Sequence, residues 1–337
     1  MEKLRCPCPY GNDEPRLSGR MNKNAVSIVI PAYNAAAFLP ETLGSCFAQT
    51  SPAAEIVVVD DGSTDSTPEL ESRYQGRVRW LRQDNAGVSA ARNRGAAHCQ
   101  GDWFLFLDAD DRLLPDALEK LISAMNGAVS CPGVVYGMIE EEREPPLATR
   151  RNGFDFCAGS PPSPSKANLH RCAIITPGSA LIRRDLFLQV DGFQAGTEPM
   201  EDRELWLRCG LLAEFVHCPA VVLWKRWVPA SHGSQHGKRI YRGWLAKRHL
   251  RMWGGGLALP VSWMESDADL LTGAIREAIY WRAYEILEPL LEDAARLHLR
   301  NFWTLRATLT LQFFSIFRPR AIRSPEWIGL SAYRLSS

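Results

Sequence analysis

The 337-residue sequence lacks several features that would narrow its class at once. No apolar stretch reaches the roughly 18 residues that a membrane-spanning helix needs. The nearest is LTLQFFSIF, Leu309 to Phe317, flanked by Arg306, Arg318 and Arg320. It suits an interfacial helix or, the preferred reading, a helix packed against the main domain. The opening MEKLRCPCPYGNDEPRLSGR is polar with no apolar centre, which argues against a secretory signal. Residues 1–24 read as a flexible leader, with Met21 an alternative start. The nine cysteines have no regular spacing, and Cys6 and Cys8 lack a matching His or Cys pair. Neither a disulfide framework nor a zinc site is indicated, and reduced thiols in a cytoplasmic compartment are the simpler reading. No G-x-G-x-x-G follows the first apolar run, which removes the dinucleotide fingerprint. No internal repeat is visible.

Charge of one sign is also missing overall. A net charge of +1 gives no general case for nucleic acid, and none is expected as a partner. From Lys225 onward, however, 17 Lys and Arg stand against 9 Asp and Glu. That surplus suits anionic substrates or peripheral contact with an anionic membrane surface, and equally a solvated helical surface.

What is present is a series of short apolar runs, each ending in polar residues. VSIVI (Val26 to Ile30) leads into PAYN, EIVVV (Glu55 to Val59) into DDGSTD, and WFLFL (Trp103 to Leu107) into DADD. Nearly continuous apolar character favours strands buried on both faces, as in a parallel sheet covered by helices. The segments between them have helical spacing. Leu39, Leu43, Cys46 and Phe47 share one face, as do Leu118, Leu121, Ile122 and Met125 after Pro115. Thr67 is placed to cap a helix beginning at Pro68, and another helix can start at Ser89. The order predicts an α/β fold with a doubly wound, mostly parallel sheet and flanking helices. Glu140 to Asn168 is charged, then rich in Pro, Gly and Ser, and reads as an acceptor-facing flap. Residues after His236 read as a mostly helical C-terminal extension.

Ligands in such sheets sit beyond the carboxyl ends of the strands. Tyr33 and Asn34, Asp60 and Asp61, and Asp108, Asp110 and Asp111 would all be delivered to that edge. Five carboxylates brought together repel unless cations or hydrogen-bond donors offset them. Asp-x-Asp at a strand end therefore reads as a clamp for Mg²⁺ or Mn²⁺ shared with substrate phosphates. Taken alone, DADD suits a solvated turn equally well. An EF-hand is excluded, since the required Gly and Glu are absent from the loop starting at Asp108.

VSIVIPAYN, EIVVVDDGSTD, DNAGVSAARNRG and FLFLDADD, followed by GSALIRRDLFLQVDGF and EDRELWLR, resemble the ordered signatures of family 2 glycosyltransferases, the inverting GT-A type. The resemblance covers roughly Val26 to Ser234. It implies a catalytic domain over residues 25–235, with 236–337 as the helical region. It implies transfer of a sugar from a nucleotide-sugar, a UDP-sugar for preference, to a glycan or lipid-linked acceptor in polysaccharide or lipid-linked glycan synthesis. It also implies work in the cytoplasm or at the inner face of the membrane.

The roles it carries over are these. Pro31, Ala32, Tyr33 and Asn34 would line the nucleotide site, with the Tyr33 ring on the base and Asp61 accepting from it. Asp60 would support the turn. Gly87, Arg92, Asn93, Asp108 and Arg226 would contact the donor, although Arg92 suits a pair with a structural carboxylate equally well, and Asp110 with Asp111 would bind Mn²⁺ or Mg²⁺. Asp202 would be the base, with Glu201 fixing the site or the acceptor. Acids at 201 and 202 also suit the first turn of any helix, where they complement its dipole. In KRWVPASHGSQH, Arg226 and Ser231 fit the family pattern, but Val228 stands where a His is usual, leaving His232 or His236 as substitutes. The other classes weighed are a nucleotidyltransferase, whose Gly-rich basic loop is missing from PAYNAAAFLP, and a non-catalytic nucleotide-sugar-binding or scaffold protein.

Overall fold

The computed structural model describes residues 24–129, 131–141, 150–152, 175–198, 200–226, 240–241, 243, 266–280 and 283–317. Its strands are β1 (Val26–Ala32), β2 (Glu55–Asp61), β3 (Arg79–Gln83), β4 (Trp103–Phe106), β5 (Arg112–Leu113), β6 (Val134–Glu141), β7 (Arg150–Asn152), β8 (Ala180–Arg183) and β9 (Phe215–Lys225). Its α-helices are α1 (Leu39–Phe47), α2 (Leu70–Arg73), α3 (Val88–His98), α4 (Ala117–Asn126), α5 (Arg184–Gln189), α6 (Glu201–Leu212), α7 (Asp267–Tyr280), α8 (Leu287–Arg296) and α9 (Phe302–Phe317).

The apolar runs form strands because both of their faces are covered. Ile28, Ile30, Ile56, Val58 and Leu105 pack against Leu39, Leu43 and Cys46 of α1 and against Leu118, Leu121 and Met125 of α4. The alternate residues Val29, Val57, Val59, Phe104 and Phe106 point to the other face. There they meet Ala91 and Ala96 of α3, Leu186 and Phe187 of α5, and Leu205 and Trp206 of α6. The sheet is therefore doubly wound, as the sequence predicts.

Its order is β3-β2-β1-β4-β8-β6-β9-β5, with β7 on β6. β1 pairs in parallel with β2 and β4, and β2 with β3. Having moved outward to β3, the chain returns to the far side of β1 for β4. That reversal opens a crevice at the carboxyl ends of β1 and β4. Beyond β4 the sheet is mixed: β8 runs antiparallel to β4 and β6, while β6 and β9 are parallel. The sheet curls, and β5, which follows the turn after β4, closes antiparallel on β9.

Some local expectations are corrected. Thr67 does not cap α2. A 3₁₀ turn, Thr67–Glu69, precedes that helix, and the buried Thr67 hydroxyl accepts from Ala35 N at 2.8 Å. Helix α3 starts at Val88 with Gly87 as its N-cap, not at Ser89. Of the proposed flap, residues 142–149 and 153–168 lie outside the described residues, as do Val228, Ser231, His232 and His236.

Helices α7, α8 and α9 enclose a further core of Leu271, Ile275, Ala278, Ile286, Leu287, Leu290 and Ala307. Helix α9 packs against α7 and α8. Phe302, Leu305 and Leu309 remain exposed on it. Among the described residues no helix is long and apolar enough to cross a membrane.

Candidate active site

Two groups of acids stand at the carboxyl edge of the parallel strands. At the end of β2, Asp60 and Asp61 turn inward. Asp60 Oδ1 accepts from Ser63 N at 2.9 Å, and Arg82 Nε lies 3.5 Å from Oδ2. Asp61 Oδ1 accepts from Gln83 Nε2 at 2.7 Å and Ala86 N at 2.9 Å, and Oδ2 from Gly87 N at 2.9 Å. These bonds fold the loop from Asn85 to Gly87 over the strand end. Two glycines make the fold possible. Gly62 has φ of 75° and would place a Cβ 2.8 Å from Asn85 N, and Gly87 has φ of 90°. Both conformations are costly for residues with a Cβ. Asp61, expected to accept from a base, is thus largely occupied by its own chain.

Asn34, with φ of 50°, ties the end of β1 to the same loop. Its Oδ1 accepts from Thr64 N at 2.8 Å, and its own N–H donates to Ser63 Oγ at 3.0 Å. Pro31 and Ala32 are buried in β1, in register with Val59 and Asp60. Tyr33 is 53% exposed, which leaves its ring open to a flat partner.

The group after β4 is built differently. Asp108 to Asp111 form a turn closed by Asp111 N donating to Asp108 O at 3.1 Å. The buried Thr42 hydroxyl of α1 lies 2.8 Å from both Ala109 O and Asp111 O and pins the turn to that helix. Arg226 braces it from β9: its N–H donates to Asp111 Oδ1 at 3.0 Å and its Nε to Asp110 O at 3.2 Å. The same guanidinium pairs with Glu41, and its Cζ lies 5.1 Å from the Phe38 ring centre. Burial, then repulsion from Asp108, raises the pKa of Asp110. The same two causes raise that of Asp111 well above the carboxylate range, against the pull of Lys225.

Glu201 and Asp202 open α6 on the opposite side. Burial and the charge of Glu201 push Asp202 up to about 7, although Arg203 N donates to its Oδ1 at 2.6 Å and Arg92 and Lys225 pull the other way. Arg92 reaches both groups, donating from Nη1 to Glu201 Oε1 at 3.0 Å and from Nη2 to Asp108 Oδ1 at 2.6 Å. Burial works against its charge, but Asp108 and Glu201 more than offset that and raise its pKa.

A parallel sheet with a switch point, an acidic turn after β4 and a Glu-Asp pair opening α6 coincide here with a sequence match. Residues 27–190 match the profile of glycosyl transferase family 2. Those residues form a domain of that family. An uncharacterised glycosyltransferase of Rickettsia conorii is 27% identical over 228 residues, which are 64% of this chain and 35% of that protein. One from Haemophilus influenzae is 28% identical over 219 residues, covering 64% of this chain and 69% of the relative. The chain thus spans only about a third of the Rickettsia relative's length. Among solved structures, Staphylococcus aureus TarS 1–349 in complex with UDP-GlcNAc superposes with a TM-score of 0.57 at 18% identity. That match covers 86% of this chain and 92% of TarS 1–349 and shows a shared fold.

Within this family 2 domain the structure brings Asp108, Arg92, Glu201 and Arg226 into one bonded frame around Asp110 and Asp111. Asn93 is not part of it. Its Nδ2 donates to Phe193 O at 2.7 Å and its Oδ1 accepts from Phe193 N at 2.9 Å. Both ends of the amide are taken up by backbone. Arg226 faces the acidic turn and Glu41.

Sequence reasoning missed Lys225 and Glu41. The charges of Asp111, Asp108, Asp202 and Glu141 hold the Lys225 ammonium pKa above its ordinary value despite burial. Its signal was its place as the last residue of β9, a strand that had not been recognised. Glu41 pairs with Arg112 and Arg226, but in sequence it reads only as an acid in a first helical turn.

Three buried polar atoms near the turn have no hydrogen-bond partner: Arg92 Nε, Asp111 Oδ2 and Glu201 Oε2. Unsatisfied buried groups are rare in folded proteins and gather where a ligand is missing. No group of three or more His, Cys, Asp or Glu suited to a metal occurs among the described residues. The half-buried Asp110 and the orphaned oxygen of Asp111 nevertheless fit a hard divalent ion that takes its other ligands from water and a diphosphate.

Proposed function

We propose that this chain is an inverting glycosyltransferase that takes a sugar from a UDP-sugar and passes it to an acceptor hydroxyl. Residues 25–235 would form the catalytic unit. The observation carrying this reading is the gathering of the turn after β4 and the start of α6 around Arg92 and Lys225, with Asp110, Asp111 and Asp202 under-neutralised there. Acids with raised pKa values in a cleft mark functional sites. The UDP-GlcNAc complex of TarS, which has the same fold, supports the choice of donor.

Tyr33 would carry the uracil ring, and the loop from Asn85 to Gly87 would border it. Asp110 and Asp111 would hold Mn²⁺ or Mg²⁺, which, when bound, neutralises charge on a departing diphosphate. Lys225, set among the carboxylates, adds a positive charge facing the same region. Asp202, pushed up to about 7, would take the proton of the attacking hydroxyl near neutral pH. Glu201, with one oxygen unpartnered, would accept from a hydroxyl beside it. Attack from the face opposite the leaving diphosphate in one displacement inverts the anomeric carbon. Calorimetry of UDP with and without Mn²⁺, on wild type and Asp110→Ala, tests the site. Metal-dependent binding lost in the variant supports it. Absence of UDP binding by the wild type in both conditions rules against a UDP donor.

The exposed Phe302, Leu305 and Leu309 of α9 lie beside Arg300 and Arg306, and no acid occurs from Ala295 to Phe317. This face fits an anionic lipid surface, and a peripheral position would place the enzyme near lipid-linked acceptors. Sedimentation with phosphatidylglycerol-containing vesicles, but not with phosphatidylcholine alone, is expected, with loss in Leu305→Glu. Equal sedimentation of that variant excludes the helix as the contact.

A further inference from the structure

We infer that Arg92 is a positioning residue rather than a donor ligand: its guanidinium fixes the start of α6 against the carboxyl end of β4, and so sets the spacing between Asp202 and Asp110. This rests on the proposed roles of those two acids. Arg92 is 3% exposed. Its two terminal nitrogens are directed to different elements, Nη1 to Glu201 at 3.0 Å and Nη2 to Asp108 at 2.6 Å. Glu201 precedes Asp202, and Asp108 stands two positions before Asp110, so each contact holds the neighbour of a reacting group.

The guanidinium is itself held from below. Its Cζ lies 5.0 Å from the ring centre of Phe193, and that ring meets Phe106 of β4 edge-on at 4.9 Å. The Phe193 backbone is gripped from both sides by Asn93, the residue next to Arg92. On α6, Arg208 forms a buried pair with Glu204 and donates to Gly192 O at 2.6 Å and to Val190 O. Helix α3, the turn from Val190 to Phe193, strand β4 and helix α6 are thus locked around one side chain. A planar fork can address two carboxylates in different directions, whereas a lysine ammonium is a single point. A donor phosphate approaching either terminal nitrogen of Arg92 would have to displace a carboxylate already in contact with it, and the one unpartnered nitrogen, Nε, is buried.

The test uses the full chain with Arg92→Lys and Arg92→Met, measuring the Kd of UDP with Mn²⁺, then kcat and KM with a turned-over UDP-sugar. Misplacing a reacting group by about 1 Å can cost about 10²-fold in rate. We expect kcat to fall by about that factor in Arg92→Met, with partial recovery in Arg92→Lys and an unchanged UDP Kd. Glu201→Gln added to Arg92→Met is expected to cost less than it does alone, because the link is already broken. A rise in UDP Kd of about tenfold or more with kcat preserved would make Arg92 a donor ligand and overturn the inference. Unchanged kcat in both variants overturns it as well. Arg92→Lys carries the test if Arg92→Met fails to fold. A wild type that binds no UDP and turns over no nucleotide sugar removes the proposed roles, and the inference with them.

Discussion

The two acidic strand ends lie on neighbouring parts of one sheet and are built on opposite principles. At the end of β2 both oxygens of Asp61 and one of Asp60 are met by donors of the chain that follows, while Asp60 Oδ2 faces only the Arg82 guanidinium at 3.5 Å. At the end of β4 the chain braces the backbone of the acidic turn through Thr42 and Arg226. It leaves Asp110 and Asp111 partly or wholly buried and repelled by Asp108, with Lys225 as partial compensation. A carboxylate filled by donors of its own chain is a structural element. One left short of positive charge in a braced turn is stabilised by any cation or donor that reaches it from outside. Residue type does not distinguish the two; the partners do.

The contrast is sharpened most by Asp202, which belongs with the second group. Replacing it by Asn keeps the shape and removes the base, so kcat is expected to fall by about 10²–10⁴-fold with UDP affinity unchanged. Steady-state kinetics with a UDP-sugar and a calorimetric titration would check both. Activity within a small factor of wild type would return Asp202 to the role of a helix-start acid.

The next effects separate structure from function. Asp61→Asn replaces one acceptor by a donor facing either Gly87 N–H or the Gln83 and Ala86 pair. Leaving such groups unsatisfied costs about 1–3 kcal/mol, and urea denaturation should show it. Asp110→Asn removes a repelled charge and is expected to match or exceed wild-type stability, to within about 1 kcal/mol, while abolishing Mn²⁺-dependent UDP binding. If the two variants exchange behaviours, the distinction fails.

Dependence on pH gives the same contrast a sign. Asp202 moves from an ordinary value of 3.8 to about 7 in the folded chain. Asp110 and Asp111 move in the same direction. Between about pH 4 and 7 the folded state therefore holds more protons than the unfolded state, and stability falls as pH rises through that window. A Tm of the metal-free protein that declines from pH 5 to 8, with a shallower decline in Asp202→Asn, is expected from differential scanning fluorimetry.

Much of this could be read before any coordinates. VSIVI, EIVVV and WFLFL form buried strands because residues with no polar alternative must be covered on both faces, and the acids that follow them fall at one edge by topology. What was not legible depends on distant pairing. β3 has no fully buried residue, β9 carries Pro219 near its middle, and β5 has only two residues. None displays the periodicity that marks a strand. Arg92 and Asn93 are neighbours on α3, but the helix turn sends one to the acids and the other to Phe193, which the sequence alone does not separate. Lys225 and Glu41 acquire meaning only from partners far along the chain.

The smallest expected effect tests the boundary of the comparison. Glu41 pairs with both Arg112 and Arg226 at the rim of the acidic turn, so it could belong with the structural acids despite being about half exposed. Solvent screening and the entropy of holding long side chains limit such pairs to about 0–1 kcal/mol. Arg226 also keeps its bonds to Asp110 O and Asp111 Oδ1 when Glu41 is lost. Glu41→Gln is therefore expected to lower stability by less than 1 kcal/mol and to leave Mn²⁺-dependent UDP binding intact. A loss as large as that of Asp61→Asn would mean that the acidic turn is braced from its exposed side as firmly as from within. The division between acids filled by buried backbone donors and acids paired with exposed side chains would then have to be drawn by geometry rather than by burial.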